Sequence, residues 1–134
     1  MAVIEEALVA LLEADAGVSA LVGNRIYPIV IPDGASLPAI AYQRISGPRA
    51  ETMDGPSGLA WPRFQITSVA ETVSEAIALA NAVRHALDGY SGTVLGVVID
   101  SILILNESTA FNTSVADEGE SWLVMQDFRV WHLE

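Results

Sequence analysis

His85 and His132 are the side chains of this 134-residue sequence best suited to proton transfer near neutral pH, and neither sits in a catalytic motif. His85 follows Arg84 late in a helical pattern, and His132 lies in the last apolar stretch of the sequence. With no HxxxH or HxH spacing and no cysteine, they do not compose a zinc site. A serine nucleophile would announce itself by a G-x-S-x-G turn between a strand and a helix, and Gly55-Pro56-Ser57-Gly58 has neither the spacing nor the setting. Asp117, Glu118 and Glu120 could gather a divalent cation, yet they lack the central glycine and terminal glutamate of a calcium loop. The absence of lysine removes the usual cation of a phosphate-binding loop. The expectation is a chain that is not an enzyme and carries no cofactor and no metal.

What remains is recognition chemistry. Arg44, Arg49 and Arg63 flank a long stretch rich in glycine and proline, and they form the one basic grouping that spacing supports. They pair either with Glu51 and Asp54 close by, at about 0–1 kcal/mol per exposed pair, or with acids of an adjacent copy, where such pairs set orientation. Trp61, Trp122 and Trp131 lack the accompanying cations of a base-stacking platform and read as core or edge residues.

The formal charge of −11 arises from 17 acids against six arginines. Duplex binding depends on rows of cations that displace condensed counterions, so nucleic-acid recognition is not expected. The acids Glu5 and Glu6 stand where a secretory leader would be basic. The most apolar run, Val94 to Leu105, is interrupted by Gly96 and Asp100 and is too short to span a bilayer, so the chain reads as soluble.

The elements that position these residues follow from periodicity. Val3, Ile4, Ala7, Leu8, Leu11 and Leu12 predict an amphipathic helix ending near Gly17, with one further short turn over Val18 to Val22. Arg25 to Ile31 reads as a short extended edge or arm. Pro38 to Ile45 and Arg63 to Val69 alternate as strands, and Gly47 to Ala60 between them reads as a loop. Thr72-Val73-Ser74-Glu75 is a capping-box pattern opening a helix to Asp88, stopped at Gly89. Gly92 to Gly96 is a tight turn into a strand over Val97 to Asn106, and Glu107 to Gly119 reads as a polar loop. The final strand, Ser121 to His132, carries Trp122, Val124, Phe128 and Val130 on one face and Leu123, Met125, Arg129 and Trp131 on the other. A strand apolar on both faces is either central in a doubly covered sheet or half covered by another subunit. The expected fold is one α+β domain over residues 1–134, a mostly antiparallel sheet of about four strands with two helices, leaving at least one sheet edge open.

The series YQRISG, DGPSGLA, RFQI, AVRHALDGY, GTVLGV and DFRVWH, in that order and spacing, resembles the tail completion (tail terminator) proteins of long-tailed bacteriophages and prophages. The resemblance implies a structural virion protein of the tail, assembled in the bacterial host cytoplasm, that caps the tail tube and presents the docking surface for the head. It implies a ring homo-oligomer, a hexamer on the tail, touching the tail tube protein and a head–tail connector protein, with no membrane partner. Arg44, Arg49, Glu51, Asp54, Arg63, Trp122 and Trp131 are then the candidate subunit or tail-tube contacts, and an acidic lumen would let DNA slide. Rival readings are a head-side connector adaptor and a small-ligand-binding domain.

Overall fold

The computed structural model describes residues 3–32, 34–47, 49–52, 55–113 and 120–133. The N-terminal pattern forms α1 (Ile4–Ala14), whose Ile4, Ala7, Leu8 and Leu12 are buried. Asp15 then stops it and starts α2 (Ala16–Val22), its carboxylate accepting a hydrogen bond from the Val18 amide at 3.0 Å. A single extra turn was the expectation for Val18 to Val22; the aspartate cap makes it a helix of seven residues that buries Val18 and Val22.

Next come β1 (Ile26–Pro28), β2 (Ala39–Ser46), β3 (Arg49–Thr52), β4 (Gly55–Ala60) and β5 (Arg63–Ala70). α3 (Val73–Leu87) follows, then β6 (Gly92–Val94), β7 (Val97–Thr113) and β8 (Glu120–Leu133). The α+β class stands, but about four strands and two helices is an undercount: three helices pack on a mixed sheet of eight strands among the described residues. β1 pairs with β2 in parallel and supplies the mixed character. The stretch Gly47 to Ala60, expected as a loop, instead lengthens a hairpin. β3 continues the line of β2, β4 continues into β5, and β3 pairs antiparallel with β4.

β8 is central. It pairs with β7 along one side, Ile99 opposite His132 through Thr113 opposite Glu120. On its other side it meets β5 and then β4 in one unbroken register, Arg63 opposite Arg129 and Ala60 opposite His132. Between those pairs the Val130 amide donates to the Pro62 carbonyl at 3.0 Å. Pro62 has no N–H to give back, so the ladder thins there without losing register.

All three helices bury their apolar stripes on one face of this sheet. Leu8, Leu12, Val18, Leu79, Val83 and Leu87 meet Ile40, Phe64, Ile66, Ile102, Phe128 and Val130 in one core. Each such large side chain contributes about 1.5–3 kcal/mol by leaving water. A smaller cluster of Ala70, Ala76, Ala80 and Val124 lets α3 approach β5 and β8 closely.

Candidate assembly surfaces

The opposite face of the sheet carries no helix among the described residues. Strand alternation turns Arg63, Gln65, Thr67 and Val69 of β5 and Leu123, Met125, Asp127, Arg129 and Trp131 of β8 toward it. Trp61 and Trp131 stack there with ring centroids 5.4 Å apart and planes 17° from parallel. The Arg129 guanidinium lies 4.8 Å from the Trp61 centroid, a cation over a π face. Arg63 Nε stands 3.9 Å from Asp127 Oδ2. Aromatic area beside fixed charges is the composition of a protein contact, since rigid rings bury area at little entropic cost.

The two sides of the sheet are unevenly protected. Along β7, β6 covers Val97 to Ile99. Beyond it the end of α3 takes over: the Gly89 amide donates to the Ile102 carbonyl at 2.7 Å, and the Ile104 amide donates to Asp88 Oδ1 at 3.0 Å. Gly89 reaches this position with φ +82, the left-handed stop that the sequence marks. From Asn106 to Thr113, β7 pairs with β8 alone. At the far side, Ile40 and Tyr42 of β2 bond outward to Arg25 and Ile29 at 3.0 and 2.7 Å. Past Tyr42 no strand pairs with the outer side of β2 or β3 among the described residues. Beside this edge Ile29 adopts φ 65, unusual for a β-branched residue, and Ile29 and Val30 are each 68% exposed.

A groove of about 370 Å³ lies at α1, lined by Glu6, Val9, Ala10, Glu13, Tyr42 and Leu95. It is open to solvent, unlike the enclosing apolar pockets that hold small molecules.

A family model described as tail completion protein gp17 matches residues 6–133. The chain belongs to that family. Membership places it among virion tail proteins. Among curated protein sequences none matches the chain. Among solved structures, a chain in the virion of a native gene transfer agent particle superposes with a TM-score of 0.77 at 22% identity. The match covers 98% of this chain and 95% of that one, and at this identity the likeness is one of fold.

In this gp17-family chain the predicted contact residues do not form one cluster. Arg44 stands on the helix-bearing face, its Nη2 3.0 Å from Glu5 Oε1 of α1 and its guanidinium 5.4 Å from the Phe64 centroid. Arg63 is on the opposite face. Trp122 packs beside Phe111, centroids 4.6 Å apart, at the margin of the alanine cluster, whereas Trp131 joins Trp61 on the other side. Arg49 and Glu51 lie on β3 with side chains outside the described residues, and Asp54 is outside them altogether. Asp117 and Glu118 are likewise outside, and Glu120 is described only as the start of β8. His85 is exposed on α3 and His132 is buried. Sequence reading assigned no contact role to Trp61, Arg129 or Asp127. The parity that groups Arg129 with Trp131 was visible, but their partner Trp61 comes from the junction of β4 and β5, distant in sequence.

Proposed function

We propose that this chain caps the tail tube of a phage-type particle and forms the surface on which the head docks, as a closed ring of identical copies. The observation that carries the reading is the family match across residues 6–133. The fold shared with a chain of a gene transfer agent virion supports it. For the ring, support comes from the two uncovered stretches of sheet edge on opposite sides of the molecule. Contacts between unlike surfaces of identical copies close into a ring when the rotation per copy is right.

In this reading Trp131 and Arg63, with Trp61 and Arg129, form one contact patch. Arg44, Arg49, Glu51, Asp54 and Trp122 contribute at the boundaries with neighbouring copies or the tail tube. One end of the ring meets the tube protein and the other a head–tail connector protein, in a virion assembled in the bacterial cytoplasm. Catalysis has no part in this role.

Deleting the gene from its particle tests the reading. Separate heads and tails are expected, with the purified chain restoring joining and labelled chain found on isolated tails. Label on isolated heads alone would reassign the chain as a connector adaptor. Joined particles made without the chain would overturn the proposal.

A further inference from the structure

Resting on the ring reading above, we infer that neighbouring copies join by strand addition. The free edge of β7, Asn106–Thr113, pairs antiparallel with the outer edges of β2 over Gln43–Ser46 and of β3 (Arg49–Thr52) of the next copy.

The main-chain geometry points this way. Val130 directs its amide toward the β5 side, and the β5–β8 register runs without irregularity from Arg63 opposite Arg129 to Ala70 opposite Trp122. Phe128, Gln126, Val124 and Trp122 therefore share that direction, and Asp127, Met125, Leu123 and Ser121 turn theirs to β7. Their partners Asn106, Ser108, Ala110 and Asn112 bond inward, which leaves the amides and carbonyls of Glu107, Thr109 and Phe111 facing out. This row has none of the devices that blunt an edge: no proline, no lysine, and one charge, Glu107, which already accepts from Gln126 Nε2 at 2.7 Å. The rest of the same strand is shielded by β6 and by Asp88 and Gly89, so protection stops where the free row begins.

A second copy is the occupant because the chain carries the matching edge. β7, β8, β5 and β2 alternate in direction, so β2 runs opposite to β7. Copies related by rotation about an axis to which the strands are tilted then meet antiparallel, and the alternation continues across the boundary. A two-fold pairing of β7 with itself would leave the β2–β3 edge bare, whereas the head-to-tail pairing covers both.

The two free rows sit at opposite ends of the sheet. Asn106 is level with Gln43 through Asp127 and Gln65, and from there one row descends while the other climbs. Pairing them staggers each copy against the next. Stagger of this kind is what closing a sheet of tilted strands into a barrel requires.

The test uses the full chain, followed by light scattering as concentration rises, with hydrogen exchange on the same samples. Expected is an oligomer in which the amides of Asn106–Thr113, Gln43–Ser46 and Arg49–Thr52 exchange at least about ten-fold more slowly than in the dilute monomer. Thr109→Pro removes an outward donor while sparing the β7–β8 bonds, and should weaken association about ten-fold or more with circular dichroism unchanged. An oligomer whose two edges exchange at monomer rates overturns the edge pairing and leaves the ring reading standing. A chain monomeric at every concentration overturns both. If Thr109→Pro fails to fold, the exchange comparison on the unaltered chain still decides.

Discussion

Gln126 is the residue whose environment makes the sharpest demand. It is 0% exposed on the helix-bearing face, and its Nε2 donates to the Ala80 carbonyl of α3 at 3.0 Å and to Glu107 at 2.7 Å. It ties α3, β8 and β7 together. Gln126→Glu places a carboxylate against that carbonyl and that carboxylate and should cost about 3 kcal/mol or more, because a buried charge without a partner is not solvated. Gln126→Leu leaves a helix carbonyl with its own helical partner and should cost about 1 kcal/mol or less. Urea unfolding of both variants checks the order, and equal losses would mean that water reaches the site. On the open face, Trp61→Ala removes the stack on Trp131 and the seat of Arg129. About 1–2 kcal/mol should be lost in thermal unfolding, with a larger loss in ring association if the face is a contact. At this scale the sequence was partly legible. Period two put Arg129 and Trp131 on one face, but it could not bring Trp61 to them, because that needs the register between β4, β5 and β8.

Among the elements, α3 was the most legible because its ends carry their own chemistry. Thr72 Oγ1 accepts from the Glu75 amide at 3.2 Å, as the capping pattern predicts. Thr72→Ala should therefore lower stability by about 1 kcal/mol in chemical denaturation. The hairpin of β6 and β7 turns through Leu95 at φ 50 and Gly96 at φ 82, with Val94 opposite Val97. A leucine there is strained by about 1–2 kcal/mol relative to a residue that tolerates positive φ. Leu95→Asn should raise the melting temperature, and since Leu95 is 59% exposed no core contact offsets the gain. A stabilised variant that no longer joins heads to tails would show that the strained leucine is kept for contact. The misread elements share a cause. Gly55, Pro56 and Gly58 are poor strand formers, yet β3 across the hairpin and the end of β8 supply partners that local propensity cannot foresee. β7 runs on past Asn106 through a polar series that lacks core alternation. An edge strand half in water needs none, so nothing in Glu107 to Thr113 marks it as strand.

For the whole molecule, the charge balance sets the behaviour toward DNA, and the structure sharpens the argument by showing where the cations go. Arg25 donates to the carbonyls of Pro38 and Leu21 at 2.9 and 3.0 Å. Arg44 pairs with Glu5, Arg63 stands beside Asp127, and Arg129 lies on Trp61. Four of the six arginines are thus occupied within the chain, against 17 acids. Phosphate contacts would have to displace these partners, and the release of condensed counterions scales with the number of cations free to do so. Binding of duplex DNA at physiological salt should be undetectable in a fluorescence anisotropy titration. Tight binding that weakens steeply with salt would contradict the account. In the proposed ring, the same excess of acid would repel the phosphates of DNA passing through it. Replacing Glu51, Asp54, Asp117, Glu118 and Glu120 by lysine should change stability by less than about 0.5 kcal/mol per substitution. If those acids line the passage, infectivity should fall through slowed DNA transit or failed head joining while tails still assemble. Full infectivity of the charge-reversed particle would place the acids away from the DNA path.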